Sequence, residues 1–91
     1  MSFRIIYPES YLKRAAKFAR KHPDVLPQYE KALKLLELNP FHPSLRLHCL
    51  SGSLSDLHSI SINISYRITL EFLIEDGKII LVNVGRHDEV Y

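Results

Sequence analysis

The sequence predicts an α+β domain in which an N-terminal strand and a two-helix hairpin pack on one face of a mostly antiparallel sheet. Apolar residues recur at helical spacing in the first half of the chain, and from Leu45 onward they alternate with a period of two. His22-Pro23 and Asn39-Pro40 interrupt the helical half twice. A group of helices followed by a group of strands is typical of the α+β class.

The first elements expected are a short strand and a helix. Phe3 to Tyr7 is apolar and partly β-branched, and Pro8 ends it. Glu9 or Ser10 is expected to cap a helix that runs to about Lys21, because apolar residues repeat there at intervals of three and four. These apolar residues form one stripe: Tyr11, Leu12, Ala15, Ala16, Phe18 and Ala19.

A second helix is expected after the break at His22-Pro23. Asp24 is expected to cap it, and Pro27 is tolerated because an N–H in the first turn has no partner within the helix. Asn39-Pro40 ends it. Two helices joined by so short a turn should form an antiparallel hairpin.

Three or four antiparallel strands are expected after the helices, three of them in segments 57–64, 66–74 and 79–84, joined by turns near Ser65 and at Asp76-Gly77. Because successive strand side chains point to opposite faces, the first two strands have one apolar and one polar face. The apolar face, which the helices should cover, comprises Ile60, Ile62, Ile64, Ile68, Leu70 and Phe72. The face expected to stay open contains Ser59, Ser61, Asn63, Arg67 and Thr69. Segment 79–84 is apolar on both faces, as in an inner strand.

Length and composition indicate one domain, residues 1–91. The chain is 46% hydrophobic and 24% charged, which is ordinary for a globular protein. The one cysteine, Cys49, cannot form an internal disulfide and is expected to be a small buried residue. No apolar run could cross a bilayer, and the N-terminus lacks the features of a signal peptide, so a cytoplasmic protein without membrane association is expected.

Positive charge is concentrated in the first half of the chain. Residues 1–44 contain eight Lys and Arg residues against four Asp and Glu, whereas residues 45–91 contain four against six. Such a cluster can bind RNA phosphates, but a solvated helix surface has the same composition, so charge alone leaves both interpretations open. The candidate RNA-binding residues of the helices are Lys13, Arg14, Lys17, Lys21, Lys31 and Lys34.

Arg67 is the unusual residue of the expected open face, since it is a cation in mid-strand. It could bind an anion, or it could form an exposed ion pair with Glu71 worth under about 1 kcal/mol. The five histidines show no metal-ligand spacing, so neither a metal nor another cofactor is expected. His58 is expected at a strand end or the edge of the core, and His22 and His42 in surface loops.

Three motifs resemble the RelE/ParE toxin superfamily and together extend over nearly the whole chain. Leu38-Asn39-Pro40 followed by Leu47-His48-Cys49-Leu50-Ser51-Gly52 is similar to the family's Leu-x-x-Pro helix ending and its H-x-L-x-G entry into the sheet. Segment 60–68 is similar to the family's alternating strand, tight turn and Tyr-Arg pair. Segment 84–91 resembles the family's closing G-x-H-x-x-x-[YF] motif. Histidines at positions 48 and 87 make the YafQ-like branch the nearest match.

The resemblance implies a microbial RNase-like fold and the toxin of a type II toxin–antitoxin system. Such a toxin would be neutralised by an antitoxin protein and would cut ribosome-bound mRNA without a metal. The implied catalytic residues are His48, Arg67, His87 and Tyr91, and Ser61 and Arg86 join the candidate RNA-binding residues. Ser61 and Ser65 stand where YafQ-like enzymes have a further histidine and an aspartate, which leaves the proton-transfer scheme open.

The expected chemistry is attack of a ribose 2′-OH on the neighbouring phosphate. Histidine suits both proton transfers because its ordinary pKa is about 6.5, and arginine stays charged beside phosphate. On the expected sheet, Arg67 and His87 would converge on the open face, with His48 and Tyr91 bordering it. Two other functions remain open: a ParE-like inhibitor of DNA gyrase, and a protein that only binds its antitoxin.

Overall fold

The computed structural model describes residues 3–50, 57–73 and 76–86. In chain order, two helices come after the first strand and before the other four strands. The elements in chain order are β1 (Arg4–Ile6), α1 (Glu9–Lys21), a first 3₁₀ turn (Pro23–Val25), α2 (Leu26–Leu38), a second 3₁₀ turn (Pro43–Leu45), β2 (His48–Cys49), β3 (His58–Ser61), β4 (Tyr66–Leu73) and β5 (Lys78–Arg86). Within these ranges, no helix is long and apolar enough to span a membrane.

The strands form one sheet in the order β1-β5-β4-β3-β2. β1 runs parallel to β5, and each of the other neighbouring pairs is antiparallel. β5 therefore lies between two strands, as its apolar residues on both faces predicted. The predicted α+β fold is confirmed, with a helical hairpin on a mostly antiparallel sheet and the N-terminal segment as an edge strand.

α1 buries one stripe against the sheet. Tyr11 and Phe18, seven residues apart, are buried in the core as the helical spacing predicted, whereas Leu12 at the edge of the stripe is half-exposed. The N-cap is Pro8, with φ −60° and ψ 153°, and not the predicted Glu9 or Ser10. The proline ring fixes φ at a value that leads directly into the helix, so α1 begins at residue 9 without a side-chain cap.

The first 3₁₀ turn joins α1 to α2. Asp24, predicted as the N-cap of the second helix, lies inside this turn, and α2 begins two residues later with Pro27 in its first turn. The hydroxyl oxygens of Tyr11 and Tyr29 are 2.7 Å apart and connect the two helices. Burial raises the pKa of Tyr11 above its ordinary value, so this hydroxyl stays neutral at physiological pH.

The core lies between the helices and the first face of the sheet. Ile60, Ile68 and Leu70 are fully buried there, as the alternation predicted. Ile64 is 90% exposed, so its predicted place on this face is wrong. β3 ends at residue 61, and residues 62–65 form a turn in which alternation no longer assigns a face. The apolar pattern therefore extends further along the chain than the strand does.

The pairing of β4 with β5 contains a β-bulge. The register shifts after Thr69, which makes Val82 the additional residue of β5. The carbonyl of Val82 accepts a hydrogen bond from Arg14 Nη1 (3.1 Å), which links α1 to the bulge. Beyond the bulge, Gly85 pairs with Arg67. The bulge therefore sets which residues of β5 lie beside Arg67.

Candidate functional site

The second face of the sheet, opposite the helices, is more closed than the sequence suggested. Ser59 and Thr69 were predicted on an open face, but their side chains are 0% and 1% exposed. Both side chains are short, and their strands, β3 and β4, each lie between two other strands of the sheet. A position on the second face therefore does not by itself expose them. Ser61, Asn63 and Arg67 are half-buried. The accessible part of this face therefore begins near the β3–β4 turn.

Arg67 lies near the start of β4, opposite Ser61 of β3 and Gly85 of β5. Its Nε and Nη1 atoms are buried, and neither has a hydrogen-bond partner within the described part of the chain. The alternative ion pair with Glu71 is not formed among these residues. Buried guanidinium nitrogens are ordinarily paired, because removing an unpaired part of a cation from water costs free energy. Arg67 is therefore suited to bind an anion.

Arg67 lines a surface cavity of about 430 Å³ at the turn end of β3 and β4. The cavity lies between the β3–β4 turn and the second 3₁₀ turn. Two of its described lining residues are arginines and none is acidic, so the described part of the lining is positively charged. The lining residues are Pro43, Ser44, Arg46, Ser61, Ile62, Asn63, Ile64 and Arg67.

Hydrogen bonds fix the turn beside Arg67. Asn63 Oδ1 accepts from the backbone N–H groups of Ser65 (2.8 Å) and Tyr66 (3.0 Å). Its Nδ2 donates to Gln28 Oε1 of α2 (2.9 Å). Ser61 Oγ donates to the carbonyl of Asn63 (2.8 Å). The Ser61 hydroxyl thus has a partner inside the turn, at a position where the YafQ-like pattern has a proton-transfer group.

His48 is the first residue of β2, is exposed, and pairs with Ser59 of β3. A strand separation of about 4.8 Å and a rise of about 3.3 Å per residue place its Cα roughly 12 Å from that of Arg67, on the same face. Its Nδ1 lies 3.1 Å from the carbonyl oxygen of Arg46. Because a carbonyl only accepts, Nδ1 carries the proton in this hydrogen bond, and the acceptor lone pair of the neutral ring is on Nε2.

Arg46 is a residue of this site that sequence reasoning missed. It is exposed and has φ 50° and ψ 46°, and it is the one non-glycine residue with positive φ in ranges 3–50, 57–73 and 76–86. Glycine or asparagine ordinarily adopts this left-handed conformation, so an arginine gave no signal for it. The one available signal was its position two residues before His48, because residues two apart along an extended chain point to the same side.

Two further residues, His22 and Cys49, differ from what the sequence predicted. His22 was expected at a loop surface, but its Nδ1 lies 3.2 Å from the hydroxyl oxygen of Tyr66 and its ring centroid lies 5.0 Å from that of Phe18. His22, at the C-terminal end of α1, lies against Tyr66 at the start of β4. The local sequence does not reveal a contact between residues so far apart in the chain. Cys49 was expected to be buried but is exposed, because β2 is an edge strand of the sheet.

None of the described histidines, including His48, is among the residues that line the Arg67 cavity. His42 precedes the second 3₁₀ turn, and its Nδ1 accepts a hydrogen bond from the backbone N–H of Ser44 (3.2 Å). His58 begins β3 at the edge of the core, as predicted, with its ring centroid 5.7 Å from that of Phe72. No three His, Cys, Asp or Glu side chains of the described residues lie close enough together to hold a metal ion.

The candidate RNA-binding cations of the helices are all exposed, but they do not form one surface. Arg14, Lys17 and Lys21 line a cavity of about 320 Å³ between α1 and the end of β5. Lys31 lines a separate cavity of about 160 Å³ beside α2. The other two line neither cavity. The helices therefore carry at least two separate basic areas.

The remaining candidates lie at the C-terminal end of the chain. Arg86 is the last residue of β5, is exposed, and pairs with Tyr66 at the start of β4. His87 and Tyr91 lie outside the described residues. Of the described candidates, Arg67 and Arg46 line the cavity at the turn end of β3 and β4, and His48 is connected to it by the hydrogen bond to the Arg46 carbonyl.

Similarity to known proteins is found in three-dimensional structure. No family model matches the chain, and no curated protein sequence matches it significantly. The structure of YafQ from E. coli strain BL21(DE3) superposes with a TM-score of 0.78 at 16% identity, covering 98% of each chain. A chain of the E. coli DinJ-YafQ toxin-antitoxin complex gives a TM-score of 0.77 at 18% identity, covering 100% of this chain and 99% of that chain.

A third similar structure is that of a toxin from another organism. The YoeB/ParE toxin from Agrobacterium tumefaciens gives a TM-score of 0.73 at 12% identity, covering 92% of this chain and 98% of that chain. The chain therefore has the RelE/ParE-like toxin fold, of the YafQ-like type, that its motifs predicted.

Proposed function

We propose that this chain is the toxin of a type II toxin–antitoxin pair and a ribosome-dependent endoribonuclease that cuts mRNA. The observation that carries the proposal is Arg67, whose buried Nε and Nη1 lack partners within the described ranges and which lines a cavity whose described residues carry positive charge. A phosphodiester supplies the anion that such a group requires, and a planar guanidinium can bind two of its oxygens. The similarity of the fold to that of YafQ supports the same function.

The proposed reaction is a transesterification within the RNA. The ribose 2′ oxygen forms a bond to the neighbouring phosphorus while the bond from phosphorus to O5′ breaks, which leaves a 2′,3′-cyclic phosphate and a 5′-hydroxyl. A base accepts the 2′ proton, and an acid donates a proton to O5′. Arg67 would stabilise the additional negative charge that develops on the phosphate in the transition state.

His48 and His87 are the proposed proton-transfer residues, with Tyr91 beside the RNA base. For His48, the hydrogen bond from Nδ1 to the Arg46 carbonyl supports this role, because it orients the ring with its acceptor atom at Nε2. The Ser61 hydroxyl donates within its own turn, so Ser61 is proposed to contribute only to RNA binding.

The proposed partners are an antitoxin protein and the mRNA-carrying ribosome, in the cytoplasm. Seven exposed cations are proposed to bind RNA phosphates, which would position the toxin without reading sequence: Lys13, Arg14, Lys17, Lys21, Lys31, Lys34 and Arg86. A chain of the DinJ-YafQ toxin-antitoxin complex has the same fold, which supports an antitoxin as the partner that neutralises this chain.

The test is to incubate the purified protein with ribosomes carrying an mRNA and to analyse the RNA ends. Cleavage should produce 2′,3′-cyclic phosphate and 5′-hydroxyl ends. Arg67→Ala should slow cleavage by about 10² to 10³, the usual cost of removing a group that stabilises transition-state charge.

Arg20→Ala is the matched control for this experiment. Arg20 is an exposed arginine of α1 and lines none of the three cavities described above. The Arg20→Ala variant should cleave mRNA at the wild-type rate. Equal slowing of Arg20→Ala and Arg67→Ala would indicate a general effect of net charge. Intact mRNA with wild-type protein would contradict the proposal.

Inhibition of DNA gyrase is the second candidate function. It is favoured by the similarity to the YoeB/ParE toxin and by the Ser61 hydroxyl, which is engaged in its turn rather than available for proton transfer. A gyrase inhibitor would block DNA supercoiling and leave ribosome-bound mRNA intact. The two assays with the same preparation therefore distinguish the candidates.

A further inference from the structure

The backbone of Arg46 adopts a conformation that most residues avoid. With φ 50° and ψ 46° it lies in the left-handed region, where the Cβ of an L-residue approaches its own carbonyl oxygen. Its N–H donates to the carbonyl of Pro43 (3.2 Å), which closes the second 3₁₀ turn. Glycine would adopt this conformation at lower cost. An arginine at this position therefore suggests a use for its side chain, its carbonyl, or both.

The left-handed turn directs the chain from the core to the site. Leu45, immediately before it, is 1% exposed and belongs to the core, while His48, two residues after it, begins β2. The carbonyl oxygen of Arg46 lies 3.1 Å from His48 Nδ1. The backbone of Arg46 thus supplies the acceptor that fixes the tautomer and orientation of the His48 ring.

The side chain of Arg46 lines the same 430 Å³ cavity as Arg67. The two guanidinium groups differ in environment, since Arg46 is exposed and Arg67 has buried Nε and Nη1 atoms. None of the described lining residues is acidic, so no described residue of the cavity wall neutralises either arginine. An RNA strand carries a phosphate at every nucleotide, so the two arginines of one cavity could each bind a different phosphate of the same strand.

We propose that Arg46 is a second phosphate-binding residue of this site and that its left-handed carbonyl positions His48. This inference rests on the proposed function, because it takes RNA as the ligand and His48 as a proton-transfer group. Arg67 binds the phosphate that is cut, and Arg46 binds a neighbouring phosphate. Arg46 is thus a binding residue through its side chain and a positioning residue through its backbone.

Three substitutions in the full chain separate these roles. Arg46→Lys keeps the charge. Arg46→Gly removes the charge but adopts positive φ readily, so it keeps the carbonyl in place. Arg46→Val removes the charge and, being branched at Cβ, strongly disfavours positive φ, so it displaces the carbonyl. The pair Arg46→Gly and Arg46→Val therefore isolates the backbone contribution.

Binding is measured with ribosomes that carry a 2′-O-methylated mRNA, which the proposed reaction cannot cut. Arg46→Gly should bind about tenfold more weakly than wild type, as loss of a hydrogen-bonded charge does. The slope of log affinity against log salt should fall by about 0.7, the value for one phosphate of a single strand. Arg46→Lys should retain most of the affinity. Equal affinity and equal slope for wild type and Arg46→Gly would overturn the phosphate contact.

Positioning is measured by single-turnover cleavage of unmodified mRNA at saturating protein. Arg46→Val should be slower than Arg46→Gly by at least about tenfold, because His48 loses its orientation in Arg46→Val alone. The pH dependence of the rate should also change in Arg46→Val alone. Identical rates and pH profiles for these two variants, both measured below their unfolding temperatures, would overturn the positioning role.

The outcomes also separate this inference from the proposed function. If wild-type protein leaves the mRNA intact, the proposed function fails and the positioning role fails with it, while the binding measurement still decides the phosphate contact. If wild-type protein cuts the mRNA and Arg46→Gly and Arg46→Val bind and cut as well as wild type, only the assignment of Arg46 fails.

Discussion

The two faces of the β3–β4 pair are built differently. On the helix face, Ile60, Ile68 and Leu70 are fully buried in an apolar core, and His58 at its edge has one buried ring atom, Nδ1, without a partner among the described residues. On the second face, the described residues include two buried groups without hydrogen-bond partners, the Oγ1 atom of Thr69 and the Nε and Nη1 atoms of Arg67. Burial of an unpaired polar group costs free energy, whereas burial of an apolar one gains it. The first face thus stabilises the fold, and the second retains groups that stability alone does not explain.

The largest effect is expected from a histidine of the second face. His48→Ala should slow mRNA cleavage by about 10² to 10⁴, because it removes a general acid or base, and the same loss is expected for His87→Ala. The unfolding temperature of His48→Ala should change little, since the ring is exposed. Cys49→Ala, at the next exposed position of the same strand, is the control and should cleave normally. Two folded histidine variants with full activity would rule out histidine acid–base chemistry.

A substitution on the helix face should affect stability instead. Leu70→Ala should lower the free energy of unfolding by about 2 to 5 kcal/mol, because it leaves a cavity in the core. Urea unfolding measures this loss. Cleavage by the remaining folded protein should occur at the wild-type rate. A loss below about 1 kcal/mol would contradict the assignment of this face as the core.

A smaller effect is expected from the basic helices. Lys17 and Lys21 line one cavity beside β5, whereas Lys13 and Lys34 do not. If that cavity binds ribosomal RNA, replacing Lys17 and Lys21 by Ala should reduce the slope of log affinity against log salt by about 1.4. The double variant at Lys13 and Lys34 is matched in charge and should change the slope less. Equal changes would mean that the cations act only through net charge.

The smallest effect is expected from Thr69. Thr69→Val keeps the shape of the side chain and removes a buried hydroxyl that has no partner among the described residues. The free energy of unfolding should rise by about 1 kcal/mol, and cleavage should be unchanged. Thermal or urea unfolding measures the difference. A destabilised variant would show that this hydroxyl has a stabilising partner and would weaken the contrast between the faces.

The sequence allowed the elements and the core face to be predicted because both depend on local periodicity. The helical spacing of Tyr11 and Phe18 and the alternation of Ile60, Ile68 and Leu70 each follow from the geometry of one element. These residues have the predicted burial. Hydrophobic periodicity was therefore sufficient wherever the element is regular along its whole length.

The failures occurred where regular structure ends or where distant segments meet. Ile64 continues the alternating pattern past the end of its strand, and Arg46 adopts a conformation that its residue type does not signal. The contact of His22 with Tyr66 joins residues 44 positions apart, which no local pattern encodes. Sequence reasoning located Arg67 on the second face, but its unpaired burial required the structure.

The central claim is that Arg67 is retained for binding an anion and not for stability. Arg67→Met tests it most directly, because methionine fills a similar space without a charge. The free energy of unfolding and the cleavage rate constant are measured on one preparation. Stability should be equal to wild type or higher by about 1 to 3 kcal/mol, as for other buried charges replaced by apolar residues, while cleavage slows by about 10² to 10³. A variant that is less stable and cleaves at the wild-type rate would contradict the claim.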